Sequence, residues 1–465
     1  MKRYLFTLML ALAIPAGIFA QETATIDDDV QTDVNQYGQT VKVAPLSAQA
    51  QDGILVLKND KIGYKIWFDN RVQVDGAAFF GAPDYADKIG NGVSIRRARF
   101  ALKAQINKNW YGEIDMDMAN GVFELKDAII RYDGIRNMEI QAGNFKEFFA
   151  IQRNNSSRYL QFMERPMVAQ ALAPSRHIGV NAKYAKDWLW ASSGVFFQTV
   201  DNLETRTFVE DANKDFGMNA GTSYTEKVVF MPGWNKQDWG LHLAGAFSYR
   251  NPKVDDEAAS TSGTPSVRYS TRNTSSINRK KYIDTDEIGN VDHDLLYTAE
   301  LAGYWKGFRG EAVYMADDNY QIGATDHSHL YGWYVQGGWL LFGGRQNYDT
   351  NGAKFTRVTR GRSWGDVELC ARYEYIDFNG LLSGPAGGAE AYCLGLNYYV
   401  NNHVKFMVNY QFNNNDRYAN GKGNKFYVGC DADGKPTKDF AKVANASGKA
   451  GVDYNMVSFR MEIDF

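Results

Sequence analysis

The last nine residues read VSFRMEIDF, and they set Val457, Phe459, Met461, Ile463 and Phe465 against Ser458, Arg460, Glu462 and Asp464 without a break. Side chains of a strand point to opposite faces in turn, so this stretch is a ribbon with one apolar and one charged face. Two settings accept such a ribbon: a soluble sandwich, in which the apolar face packs on a second sheet, or a barrel with lipid outside and water within. The alternation recurs along the chain. "RARFALKAQI" sets Ala98, Phe100, Leu102, Ala104 and Ile106 against Arg97, Arg99, Ala101, Lys103 and Gln105. "YGEIDMDMA" sets Ile114, Met116 and Met118 against Glu113, Asp115 and Asp117, and "VKFMVNYQF" repeats the pattern from Val404 to Phe412.

Connections between these stretches are of two kinds. Some are a few residues long, as at Asn107 to Asn109, Lys186 to Asp187, Lys306 to Gly307 and Asn401 to Asn402, and suit tight hairpins. Others, at 147–175, 200–222, 251–293 and 414–453, are long and polar. Short turns on one side and long loops on the other are the habit of outer-membrane barrels. The 343–363 connection is an exception, falling by direction on the short side. Strands are expected near 64–80, 93–106, 109–119, 123–133, 137–146, 176–185, 188–200, 223–231, 238–250, 294–306, 308–318, 329–342, 364–378, 390–400, 403–413 and 454–465. That is about sixteen, with both chain ends on the short-turn, periplasmic side, and such a barrel leaves an aqueous channel.

A sandwich would need a partner sheet for every apolar face in a domain of about 400 residues, a size at which single cores normally split. In a membrane, a one-residue slip of the last strand would turn Arg460 to lipid at ~2–4 kcal/mol near the midplane, so the register is well specified. The expected fold is therefore an all-β, transmembrane antiparallel β-barrel. Its 28 Tyr, 27 Phe and 10 Trp, beside 44 Gly and 10 Pro, suit strands that meet a wet interface. No apolar run is long enough for a spanning helix, and the mean hydropathy is -0.43. Cys370, Cys393 and Cys430 suggest neither a disulfide framework nor a zinc site. A net charge of -3 names no partner by sign, and nothing points to nucleic acid.

The start, MKRYLFTLMLALAIPAGIFAQ, places Lys2 and Arg3 before an apolar stretch broken by Pro15 and Gly17, with the small Ala20 before Gln21. Residues 1–20 are read as a secretory signal peptide, 21–57 as a flexible, polar and acidic periplasmic segment, and 58–465 as the barrel domain. Phe465 falls in the lower aromatic girdle.

"IRRARFALKAQI", "ELKDAIIRY", "IQAGNFKEFF", "SSRYLQFMER" and "APSRHIGV" follow one another between Ile95 and Val180. In that order they resemble the phosphate-selective porin O and P family. The resemblance implies a sixteen-stranded, homotrimeric outer-membrane porin whose third outer loop, here 147–175, folds into the channel and narrows it. Family members usually continue the Lys-Glu step with Pro-Phe-Gly, where this chain has Phe148, Phe149 and Ala150. A barrel ending in Phe465 also resembles the signal read by outer-membrane assembly machinery.

An anion channel needs inward cations that replace a phosphate's hydration without trapping it, and the forked guanidinium of arginine suits that task. The candidates are Arg71, Arg97, Arg99, Lys103, Arg131 and Lys183 on inward strand positions, with Lys146, Arg153, Arg158, Arg165 and Arg176 around the infolded loop. The competing expectation is pairing of most of them with Asp69, Asp75, Glu113, Asp115, Asp117, Asp127, Glu147 and Glu164, which keeps the lumen wet and the wall rigid. Arg96 has lipid parity near the outer rim and is expected to reach headgroup phosphates. The motif DHSH, Asp326 to His329, is weighed as a metal site and set aside, because no other ligands are fixed nearby. No nucleophile elbow or zinc-protease motif appears.

The sequence thus describes a passive outer-membrane porin for small hydrophilic solutes, phosphate or other anions among them, without cofactor or metal. Its surroundings are outer-membrane lipid and lipopolysaccharide. The rival is a barrel-based enzyme or adhesin working through its extracellular loops 251–293 and 414–453.

Overall fold

A computed structural model describes residues 32–200, 218–219, 221–252, 254–255, 266–444 and 450–465. The expected signal peptide and most of the 200–222 connection lie outside the described residues. The chain divides into two units after Ser47. In the first, Thr32–Val34 and Thr40–Lys42 pair as a short antiparallel ribbon.

The second unit is a closed antiparallel barrel of sixteen strands. They are β1 (Arg71–Phe80), β2 (Gly92–Gln105), β3 (Trp110–Asp117), β4 (Glu124–Ile135), β5 (Met138–Lys146), β6 (Arg176–Lys186), β7 (Leu189–Phe196) and β8 (Thr222–Phe230), then β9 (Trp239–Asn251), β10 (Val291–Trp305), β11 (Phe308–Gln321), β12 (His327–Leu340), β13 (Asp366–Gly380), β14 (Gly388–Tyr399), β15 (Val404–Asn415) and β16 (Tyr454–Asp464). Closure is by β16 on β1, with Arg460 opposite Asp75 and Ile463 opposite Val72. The expected first strand, 64–80, is broken at Asp69 and Asn70. Its lower piece, Tyr64–Phe68, still pairs with β2 and carries a further short strand, Ile54–Asn59, which begins in the segment expected to be flexible, 21–57, and runs past its end. Among the described residues no helix is long and apolar enough to cross a membrane.

The alternation of β16 is realised as two environments. Val457, Phe459, Met461 and Ile463 are exposed on the outer wall, while Ser458, Arg460, Glu462 and Asp464 are buried in the lumen. Exposed Trp110, Trp188, Trp239, Trp305, Trp339 and Trp364 stand beside the short turns with Phe465, forming the aromatic girdle expected at one membrane interface.

The interior departs from an open channel. The 147–175 loop enters it as two helical turns, α1 (Ile151–Asn154) and α2 (Met167–Ala171), joined through a single 3-10 turn at Ser157–Tyr159. Phe149, Ile151, Phe162, Met167, Val168 and Leu172 pack against inward Met315, Leu330, Tyr334 and Ile376, a filled core on the β10–β14 side. The cause lies in strands that place apolar side chains such as Met315, Leu330 and Ile376 inward as well as outward.

Two further segments fill the barrel. From the long-loop side, residues 266–290 descend so that Ser276 donates to Asp75 (2.6 Å) and Asn273 to Asn415 (2.7 Å). From the short-turn side, the exceptional connection after β12 folds up into the lumen. There Phe355 is buried and its N–H donates to Asn155 (2.9 Å), while the Asn351 carbonyl accepts from Trp190 Nε1 (3.0 Å).

Candidate functional site

Lumenal side chains hold the backbone of the constriction loop. Arg460 forks onto Asp75 at 2.6 and 2.7 Å and donates to the Met163 carbonyl at 2.6 Å. Arg309 donates to the Tyr159 carbonyl (2.9 Å), Lys405 to that of Arg158 (2.6 Å), and Arg372 to that of Glu164 (3.0 Å). Glu300 accepts from the Ile151 N–H at 2.7 Å. In this way charged wall residues satisfy a buried loop whose polar backbone has little secondary structure of its own. Phe148, which replaces the family's usual proline, packs edge-on against Trp190 at 5.5 Å.

Arg96 corrects the sequence reading. Between β1 and β2 the register jumps from Gln73 opposite Arg97 to Val74 opposite Ile95, so Arg96 is the extra residue of a bulge. Strict parity pointed it at lipid; the bulge turns it inward, and its Nη2 bonds Glu164 at 3.1 Å. Glu164 is held well below the usual carboxylate range: burial raises its pKa, but Arg96, Arg97 and Arg460 outweigh that effect.

The remaining cations fall into two groups. Arg99 pairs with Asp115 (3.1 Å) and Asp117 (3.2 Å), Lys103 with Asp69 (2.6 Å), and Arg176 with Asp127 (2.7 Å). Arg131 pairs with Asp133 (2.7 Å), Lys183 with Glu139 (2.7 Å), and Arg158 with Asp69 and Asp464, the latter at 2.9 Å. Arg71, Arg97, Lys146, Arg153 and Arg165 make no ion pair at contact distance among the described residues, although Arg97 lies near enough to Glu164 to act on its charge. Arg97 donates to Gln73 (2.6 Å) and Arg71 to Ser156 (3.4 Å). Arg153 and Arg165 reach loop carbonyls, including those of Ala173 (3.2 Å) and Asn155 (3.1 Å).

These five meet in one place. Arg71, Arg97, Arg99, Lys146, Arg153, Arg165 and Arg176 line a cavity of about 60 Å³ with Ser156, Ser157 and Ser175, and no carboxylate shares that lining. Above it, sharing Arg153 and Ser175, is an outer vestibule of about 460 Å³ that also touches His177, Arg250 and Arg268. Below it, sharing Arg71, Arg99, Lys146, Ser156 and Arg176, is a cavity of about 240 Å³ where Asp69, Glu113, Asp115 and Asp127 join Lys103, Arg158 and Lys354. The middle and lower cavities lie beside the β1–β6 wall, while the vestibule, which meets the middle one at Arg153 and Ser175, reaches across to β8, β9 and β10. Arg131 and Lys183 lie outside all three linings.

Sequence reasoning missed Lys354 and the whole inward course of its segment. The signal was present in Tyr348 and Phe355, aromatics in a connection otherwise polar enough to be read as solvated. The DHSH histidines are brought near one carboxylate, with His329 Nδ1 2.6 Å and His327 Nε2 3.7 Å from Asp318.

A closed sixteen-strand wall, apolar outside, with a charged lumen narrowed by an infolded loop, defines an outer-membrane channel of the porin class. The family model described as phosphate-selective porin O and P matches residues 68–428, and the chain belongs to that family. It is similar to Porin O of Pseudomonas aeruginosa, with 25% identity over 450 residues, covering 89% of this chain and 94% of the relative. It is 24% identical over 353 residues to an uncharacterized protein of Caulobacter vibrioides, covering 73% of this chain and 66% of that protein. Among solved structures, an anion-selective porin from Comamonas acidovorans shares the fold, with a TM-score of 0.51, 10% identity, and coverage of 86% of this chain and 100% of that one. The protein is thus a bacterial outer-membrane channel through which small solutes diffuse passively.

Proposed function

We propose that this porin favours small oxyanions, phosphate among them, which cross beside the β1–β6 wall by way of the cation-lined cavity. One observation carries the reading: seven cationic side chains and three serines line that cavity with no acid between them. Serine hydroxyls and guanidinium forks replace the hydration of an oxyanion, and a lining without carboxylates repels cations of similar size. Arg71, Arg97, Lys146, Arg153 and Arg165 are the selective set, with Arg99 and Arg176 helping from within ion pairs. Lys103 and Arg158 line the lower cavity, while Arg131 and Lys183 keep the lower wall rigid.

Reversal potentials across a planar bilayer in a chloride gradient, then with phosphate, test this. Lys146→Gln and Arg71→Gln are expected to lower the anion preference, and Arg131→Gln to leave it unchanged. An unaltered potential in both lumen variants overturns the proposal. The family resemblance supports a homotrimer embedded in lipid and lipopolysaccharide, inserted by assembly machinery that reads the Phe465 end. Cross-linking of the folded protein to a three-chain band tests the trimer.

A further inference from the structure

Near the outer end of the lumen lies a group of side chains that the anion path does not use. Asp294 and Asn319 face each other across β10 and β11, and Asp317 lies two residues from Asn319 on the same inward face. All three are buried, with Asp317 and Asn319 at 0% exposure. The Asn319 amide donates to Asp294, and the Tyr269 hydroxyl, on the descending 266–290 segment, donates to it at 3.1 Å. Both oxygens of Asp317 and the amide oxygen of Asn319 meet no donor in good hydrogen-bond geometry, and the Tyr269 hydroxyl, already given to Asp294, is the group that also lies near Asp317. Arg250, opposite Asp294, is the adjacent cation, but its hydrogen bonds go to Glu147 (3.0 and 3.1 Å), Ser248 (3.2 Å) and His177 (3.5 Å).

Buried acceptors of this kind are costly unless something positive meets them, and one tyrosine hydroxyl shared between two carboxylates leaves most of these oxygens unmet. The set is all oxygen, two carboxylates and an amide, which is the ligand chemistry of a hard divalent cation such as Ca²⁺. The outer vestibule supplies an entry path, since its lining includes Asp294 and Tyr269. We infer that Asp294, Asp317 and Asn319 form a binding site for a hard divalent cation, Ca²⁺ by its chemistry, at the outer end of the lumen. A cation there cancels the acids that face the vestibule, so it also makes the entrance more favourable to anions. The binding claim stands apart from the anion reading; only this last consequence rests on it.

Terbium is the probe, because a Tb³⁺ ion held beside Tyr269 is excited through the tyrosine ring. The full mature porin folded in detergent is titrated with Tb³⁺ and then with Ca²⁺ as competitor. Wild type is expected to show a saturable, Ca²⁺-displaceable emission. Asp317→Asn is expected to weaken it by roughly tenfold or more, since a ligand charge is lost. Asn319→Asp, which restores a charge to the same nest, is expected to tighten it, and this variant decides the matter if Asp317→Asn does not fold. Titration curves indistinguishable from wild type in the folded variants overturn the inference, as does emission that Ca²⁺ fails to displace. The two failures stay separable, because loss of anion preference in Lys146→Gln is read with Ca²⁺ binding intact.

Discussion

Arginine does two different jobs in this lumen, and burial with partners tells them apart. Arg460 is fully buried between Asp75 and Glu164 and also holds the loop carbonyl of Met163. Removing one partner of such a pair leaves the other charge uncompensated in a low-dielectric site. Arg460→Ala is therefore expected to destabilise the barrel by about 3–5 kcal/mol, read as an earlier loss of the fast-migrating folded band on heating. The double change Arg460→Met with Asp75→Leu is expected to recover much of that loss. Glu147 supplies a pH dependence. Burial raises its pKa, but Arg250 and His177 outweigh burial and bring it down to about 2. Because the folded value is depressed, its stabilisation is present above the ordinary glutamate range and is lost as pH falls from there toward 2. Acid titration of the folded band is expected to show that loss in wild type and to lack this share of it in Glu147→Gln.

At the scale of elements, the segment after β12 deserves a functional test because it meets the constriction loop from below. Replacing 347–356 with a short Gly-Ser turn is expected to raise single-channel conductance in concentrated potassium chloride. Unchanged conductance would show that the segment narrows nothing. Gly143 on β5 is a second element-level test. Its φ is +126°, and an added Cβ would fall 1.9 Å from the Ala128 carbonyl oxygen on β4, so Gly143→Ala is expected to lower folded yield. Strands were legible in the sequence because lipid on one side and polar side chains on the other enforce period two. Bulges and infolded loops were not. Arg96 was misplaced by one extra residue in β2, and the inward course of the segment holding Phe355 depends on partners such as Asn155 that lie about two hundred positions away.

For the molecule as a whole, the sequence supplied the strand count and the order of turns and loops, since each follows from local pattern, and it named the cations of the middle cavity but not Lys354. It left open which cations were paired, because Asp75 meets Arg460 only once the barrel closes and Asp69 meets Arg158 only once the loop enters the lumen. That closure predicts faster gel migration of the unheated protein than of the boiled one. Migration independent of heating would contradict a closed wall. The grip on the loop falls chiefly to Arg96, Arg309, Arg372 and Arg460, whereas Lys146 and Arg71, which touches the loop through a long 3.4 Å bond to Ser156, line the passage. Evolution can accordingly retune the filter without renegotiating the scaffold. Randomising Arg71 and Lys146 alone should yield a library of intact pores graded in charge preference, while the same diversity spread over the gripping arginines should yield mostly misassembled chains.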